Sequence, residues 1–404
     1  MKLYSKLLIL VLVVVVLGIA LVFWWRSISG GGDEALRQGS GQEAVTSTLE
    51  FQPVPRADGS PSLFDEGPST GSGQTDSLPT EGEGASRRTG GVARVSDRPV
   101  FYHWTNSDTG EVFYLTPDGA AYLAEAGGDI EISSQTLSGL QSAEISPKGD
   151  KVLARFGTPE FPKWGIFDVV DGVWRPLQDG ILDAIWGKDS GELIARVEQG
   201  SDMSLGVLNL EKSGSPLASI LRDFRLKNVS MFFLPSGKKG RLVFIEKPLP
   251  SSPSRMWGLN LDTLSFSLLS SLEKGVLIRQ SPDRMIALKF ASPDTFLILD
   301  KNFEEAVPSL LLTLPQKCGF AGPDVYCFEP REDIFTSEES YDDYLKQRVQ
   351  TTDTLLTFGV EDPGFDVVFA SGGGGIPAID GLMPTASRGN IYFINRYDDY
   401  LYSF

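Results

Sequence analysis

The chain has 404 residues, a formal charge of -17, a pI near 4.6, two cysteines and a single histidine. That acid excess speaks against a nucleic-acid partner, because binders of the phosphate backbone concentrate Lys and Arg. A Cys/His zinc centre needs more ligands than these, and a histidine-dependent triad would have to use His103.

Residues 7–25 are an unbroken apolar run, LLILVLVVVVLGIALVFWW. A helix over them would be ~28 Å long, close to the hydrocarbon core of a bilayer. Lys2 and Lys6 precede the run, Phe23, Trp24 and Trp25 close it as an interfacial belt would, and Arg26 follows. A cleaved signal peptide is the alternative, with Ser27 and Ser29 as its small residues, but the run exceeds an ordinary h-region. Residues 1–29 are therefore expected to be one uncleaved transmembrane anchor. The lysines orient its N-terminus to the cytoplasm and the remainder outside. No cysteine follows the run, which excludes a lipid attached through an N-terminal Cys.

Residues 30–91 read as a disordered linker rich in Gly, Ser, Thr, Pro, Glu and Asp. As a flexible coil it would reach ~40–45 Å. Phe51 and Phe64 are its aromatics and read as idle residues of a tether.

From Val92 the texture changes to short apolar strands punctuated by turn residues, so residues 92–404 are expected to form the folded domain. A first meander runs through PVFYHW (99–104), the turn Thr116-Pro117-Asp118-Gly119 and two further strands, 120–125 and 130–134. A strand, tight turn and second strand then recur. Ile145-Ser146-Pro147-Lys148-Gly149 leads to Val152-Leu153-Ala154. Trp186-Gly187-Lys188-Asp189 leads to Leu193-Ile194-Ala195. Pro235-Ser236-Gly237 leads to Leu242-Val243-Phe244, and Ser281-Pro282-Asp283 to Met285-Ile286-Ala287. Gly322-Pro323-Asp324 leads to Val325-Tyr326-Cys327, and Asp380-Gly381 leads through Pro384 to Ile391-Tyr392-Phe393. Most intervals lie in the forties of residues, the period of a four-stranded propeller blade.

These residues resemble the TolB-like, or PD40, WD40-like β-propeller repeat, whose mark is an inner strand, a Ser-Pro-Asp-Gly turn and a second strand. Ala184-x-Trp186-Gly187, Lys317-Cys318 and Tyr392-Phe393-Ile394-Asn395 are also similar to an uncharacterised family of membrane-anchored bacterial propellers. The resemblance covers 92–404. It implies an all-β propeller of four-stranded blades, and six inner strands plus the meander at Pro99 count to seven blades, with six or eight as alternatives. The last blade lacks an outer strand, which Val92-Ala93-Arg94-Val95 would supply, since an unfinished blade leaves an open edge.

No Gly-x-Ser-x-Gly elbow, Walker loop, His-Glu-x-x-His or EF-hand loop is present, so no catalytic, metal or cofactor residue is assigned. Gly372-Gly373-Gly374-Gly375 reads as an inter-blade loop, and His103 as a packed strand residue. Asp398 and Asp399, within Tyr397-Asp398-Asp399-Tyr400, read as turn formers. The long connections at 157–163, 247–255 and 329–353, the last with a helix expected over 338–348, would share one face with the Gly372 loop. Long loops on a rigid scaffold are where binding concentrates. Phe161, Trp164, Tyr341, Asp342, Asp343 and Tyr344 are accordingly the candidate interaction face, although a solvated acidic surface is the plainer reading of the last four.

The function expected is a membrane-tethered, extracytoplasmic, non-enzymatic binding or scaffold module of the cell envelope. Its partner would be a protein or glycan, besides the membrane, and not nucleic acid. The alternative is an envelope hydrolase acting on glycan or peptide through a carboxylate pair on the long-loop face. A third reading is a structural subunit of a larger envelope complex. Cys318 and Cys327 fall opposite each other if their hairpin folds symmetrically about Gly322 and Pro323. A disulfide is then expected in an oxidising compartment, and two packed thiols otherwise.

Overall fold

The computed structural model describes residues 91–404, except 107, 126, 201, 212–216, 227, 247–251, 293–294, 309–310, 333, 361–363 and 374–375. The expected anchor, the linker up to residue 90 and part of the 247–255 connection lie outside the described residues. Among the described residues, no helix is long and apolar enough to cross a membrane.

The described chain opens with the two-residue strand β1 (Ala93–Arg94). β2 (Tyr102–Thr105), β3 (Val112–Leu115), β4 (Ala121–Ala124) and β5 (Ile130–Ser133) form an antiparallel meander. β6 (Ser142–Ile145), β7 (Lys151–Gly157), β8 (Pro162–Asp168) and β9 (Val173–Pro176) form the next. β10 (Ile181–Trp186), β11 (Glu192–Gln199), β12 (Asp202–Asn209) and β13 (Ala218–Leu221) repeat the pattern. Then comes one seven-stranded sheet: β14 (Val229–Leu234), β15 (Arg241–Glu246), β16 (Pro253–Asn260), β17 (Phe266–Gln280), β18 (Ile286–Ser292), β19 (Thr295–Asp300) and β20 (Glu305–Pro308). β21 (Cys318–Ala321), β22 (Asp324–Pro330), β23 (Asp353–Gly359) and β24 (Asp366–Ala370) follow, with helix α1 (Glu338–Leu345) inserted between β22 and β23. β25 (Gly381–Ser387), β26 (Asn390–Asn395) and β27 (Tyr400–Ser403) end the chain, and β1 pairs with β27 as their fourth strand.

The seven-stranded sheet departs from the expected separate units. β17 serves two of them without a crossover: Phe266 to Lys274 pair with β16, and Lys274 to Gln280 with β18. The register shifts between Lys274 and Leu277, where Gly275 takes a φ of +57°. A glycine there lets the strand bend rather than break. Helix α1 is also shorter than the expected 338–348. Ser337 caps its start through the Ser340 amide, and Lys346 already lies outside helical geometry.

The recurrent turn has a common chemistry. The Ser146 hydroxyl accepts from the Lys151 amide at 3.1 Å and donates to Asp150 at 2.7 Å. The Ser281 hydroxyl accepts from the Ile286 amide at 3.2 Å and donates to Asp283 at 2.5 Å. The side chain thus occupies polar backbone groups at the mouth of the hairpin. Gly149 sits at a φ of +75° in the first turn, and Arg284 occupies the corresponding place in the second at +59°.

Apolar clusters fill the spaces between successive meanders. Trp104 and Phe113 pack with Val152 and Phe167, and Leu153 and Trp164 with Trp186 and Leu193. Ile194 and Leu205 pack with Met231 and Leu242, and Val243 and Met256 with Val276. Phe290 and Phe296 meet Cys318 and Phe358, while Phe328 and Leu355 meet Ile391 and Phe393. The series returns on itself, because Leu382, Ile394 and Leu401 pack against Val112, Tyr114 and Tyr122 of the first meander. The seam is also bridged by the Ser387 hydroxyl, which donates to the Gly110 carbonyl at 2.9 Å, and by Arg388, which donates to the Thr109 carbonyl.

Candidate functional site

The candidate residues separate into two places. Phe161, on the connection between β7 and β8, is 79% exposed. Trp164, three residues later on β8, is buried. It lines a groove of about 160 Å3 with Phe156, Pro162, Lys163, Pro176 and Asp179. The Trp164 indole N–H lies inside the protein without a hydrogen-bond partner. Aromatic, proline and charged groups therefore line this groove, and the exposed Phe161 precedes its lining residue Pro162 in the chain.

Tyr341 and Tyr344 do not belong to an interaction face, being 0% and 1% exposed. They point from α1 into the core and stack edge-on against Phe335. The Tyr341 hydroxyl donates to the Gly275 carbonyl at 3.1 Å, which docks the helix on the bend of β17. Asp342 and Asp343 lie on the outer side and pair with Lys346 and Arg348. Tyr residues three apart share one helical face, and this spacing is the signal that the acidic appearance of the motif concealed.

Beneath α1 lies a sealed charge network that sequence reasoning missed. Lys317 follows Pro315 and Gln316 in a 3-10 turn, and its ammonium is wholly buried. It lies 2.7 Å from Asp353 and 2.6 Å from Asp380, both also wholly buried. Arg396 reaches the other Asp380 oxygen at 3.0 Å. The Tyr344 hydroxyl donates to Asp380 at 2.8 Å, and the Thr351 hydroxyl to Asp353 at 2.7 Å. The Gly381 amide donates to the second Asp353 oxygen at 2.8 Å. Burial alone would lower the Lys317 ammonium, but Asp353, Tyr344 and Asp380 outweigh it and hold it above its ordinary value. Burial would likewise raise Asp380, yet Lys317 and Arg396 prevail and hold it low. Two carboxylates thus sit on one ammonium, with their charges balanced and their oxygens occupied. Such an arrangement locks elements together and offers no space to a substrate.

The inner strands carry another polar group. Glu144, on β6, is exposed, yet desolvation among the inner strands pushes its carboxyl up to about 7. Arg284 acts in the opposite sense, and Asp183 of β10 adds to the rise. The Tyr102 hydroxyl accepts from the Ile145 amide at 3.1 Å, tying β2 to β6. His103 is buried, and burial with nearby Arg279 lowers it to about 3 against the smaller opposing effect of the Tyr392 backbone. Cys318 and Cys327 stand in register across β21 and β22, and their sulfurs are bonded at 2.07 Å. Among the described residues, no group of three or more His, Cys, Asp or Glu is placed to hold a metal ion.

No protein-family model matches the chain, and no curated protein does. Solved structures resemble it in shape at low identity. The tricorn protease matches with a TM-score of 0.43 and 12% identity, over 80% of this chain and 34% of that one. This chain therefore spans about a third of that protease. TolB from Acinetobacter baumannii gives 0.41 and 14%, over 69% of this chain and 64% of TolB. The beta-propeller domain of Myceliophteria thermophila Cps50 (Swd1) gives 0.49 and 10%, over 78% of this chain and 99% of that domain.

Proposed function

We propose that the chain is a seven-bladed β-propeller, tethered to a membrane by residues 7–25 and displayed outside the cytoplasm, where it binds a protein or glycan of the cell envelope without catalysis. The blade count rests on seven apolar clusters that pass from meander to meander and back to the first. The bend of β17 divides the long sheet into two blades, and β1 completes the last. The tether rests on the apolar run and its flanking charges. The bonded cysteines agree with an oxidising compartment.

The observation that carries the binding role is the groove lined by Trp164, with the exposed Phe161 on the connection that leads into it. Aromatic anchors of this kind dominate contact energies in interfaces. A photoreactive residue in place of Phe161, activated in intact envelopes, is expected to yield adducts with protein or glycan. The same group at exposed Val170 serves as the control. Absence of adducts at 161 above that control would overturn the binding role. Protease added to intact spheroplasts is expected to cut within 30–91 and release a compact fragment. Protection of that stretch until lysis would overturn the location.

The hydrolase reading has one specific support. Glu144, with a carboxyl near neutral pKa and a second carboxylate at Asp183, has the character of a general acid. Glu144→Gln would then abolish turnover of envelope glycan or peptide, whereas a binding module keeps its adducts at 161.

A further inference from the structure

The buried group of Lys317, Asp353 and Asp380 contains the parts of a condensation reaction. All three side chains are wholly buried, so solvent does not compete for the amine or for either carboxyl group. Lys317 directs its N–H groups at the Tyr344 hydroxyl at 3.0 Å, the Thr351 hydroxyl at 3.1 Å and Asp380 at 2.6 Å. Asp353 is a fourth neighbour, at 2.7 Å. An amine and a carboxyl group fixed this close react as parts of one molecule, without the entropy cost of meeting.

The two carboxylates are held differently. Asp380 faces two cations, Lys317 and Arg396, and also accepts from the Tyr344 hydroxyl and the Thr351 amide. It stays ionised and is suited to carry a proton. Asp353 faces Lys317 and accepts from the Thr351 hydroxyl and the Gly381 amide. Burial and the neighbouring Asp380 charge raise its carboxyl against the pull of Lys317. Asp353 is therefore the carboxyl that takes up a proton and becomes an electrophile, and the Gly381 and Thr351 donors already lie on its oxygens.

We propose that Lys317 and Asp353 join through an intramolecular amide, an isopeptide bond that the chain makes by itself with Asp380 as proton carrier. A proton first passes from the ammonium to Asp353, leaving a neutral amine beside a carboxylic acid. Against the effect of burial, Asp353, Tyr344 and Asp380 hold that proton on Lys317, so this transfer is the slow step. The nitrogen lone pair then attacks Cγ of Asp353. Asp380 takes a proton from the attacking nitrogen and returns it to the departing hydroxyl. A C–N bond forms, a C–O bond breaks and one water leaves, with no oxidant or co-reactant. Arg396 and Asp380 remain, so the charge stays balanced. The step removes two charges from a place that denies them hydration, which offsets the cost of condensation. The closed loop would contain β21, β22, the bonded cysteines and α1, and would fix that insertion covalently to the start of β23.

The test is the mass of the full chain after its disulfide is reduced. The parent is expected to weigh one water less than its sequence, and Lys317→Arg, which keeps the cation and lacks the amine nucleophile, to show its full mass. Trypsin should leave the parent uncut after Lys317, and fragmentation of the resulting branched peptide should place the joint at Asp353. Asp380→Asn, checked as folded by circular dichroism, should lower the bonded fraction about ten-fold or more. The measurement on the parent depends on no variant folding. A parent of full mass that is cut after Lys317 overturns the proposal. So does a joint at Asp380, or a folded Asp380→Asn chain that bonds as completely as the parent.

Discussion

Lys317 has no feature in the sequence that separates it from a surface lysine, yet it is the centre of the most buried polar group described. Its partners Asp353 and Asp380 come from 36 and 63 residues later in the chain. No local periodicity could have joined them. Buried ion pairs contribute little net stability, but removing one member strands the others in low dielectric. Lys317→Met should therefore cost about 3–5 kcal/mol, read as a lowered urea midpoint; an unchanged midpoint would show that water reaches the two carboxylates. His103 and Glu144 have opposite linkage to pH. His103 is lowered to about 3, so folding loses stability as pH falls below the ordinary histidine range. Glu144 is raised to about 7, so its contribution is fully present in acid and is lost as pH rises from the ordinary glutamate value through 7. Between those ordinary values the two nearly cancel. Glu144→Gln should raise the Tm at pH 8, leave it unchanged at pH 4, and steepen the loss of stability below pH 6.5. Parallel Tm profiles for parent and variant would contradict this assignment.

At the scale of elements, the hairpins were legible because the Ser-Pro and Gly turns are local and their hydroxyls act within five residues. The disposition of α1 was not, because burial of Tyr341 and Tyr344 depends on Phe335 and on the bend of β17, a different meander. The uninterrupted course of β17 was equally hidden, since one glycine decides whether a chain bends or breaks. Gly319 makes a sharper demand. A Cβ there would lie 1.6 Å from the Pro384 carbonyl oxygen, so β21 and β25 approach as only glycine allows. β25 accommodates Pro384 within a register shift between Leu382 and Thr385, with Met383 at a φ of +51°. Gly319→Ala should force these strands apart and cost about 3 kcal/mol. Chemical denaturation checks it, and a wild-type midpoint would mean that the two strands separate freely.

For the whole molecule, the repeat period pointed to an array of four-stranded units, and the meanders follow that spacing. A seven-unit reading requires β17 to belong to two units and β1 to the last. The acidic composition argued against a nucleic-acid partner and suggested no other, since net charge governs association rather than fold. The groove at Trp164 depends on residues from β7, β8, β9 and the start of β10 meeting in space, which no single motif announces.

The closing strand has a mechanical consequence. β1 contributes two registered pairs, Ala93 with Ser403 and Arg94 with Tyr402. The Val95 amide adds a bond to the Leu401 carbonyl at 2.8 Å, and the Ser96 hydroxyl accepts from the Leu401 amide at 3.0 Å. Among the described residues, tension drawn through the chain before Ala93 loads this small set of bonds early. The sheet of β1 with β25, β26 and β27 should therefore yield first at β1 under modest force, before any complete meander unravels. Pulling a single molecule between its N-terminus and an internal handle at residue 170 should show a first extension confined to the residues around β1. Pulling between residue 170 and the C-terminus should lack that step. β1 would then act as a fuse: tension from its N-terminal side frees the edge of β27 while the other meanders stay folded.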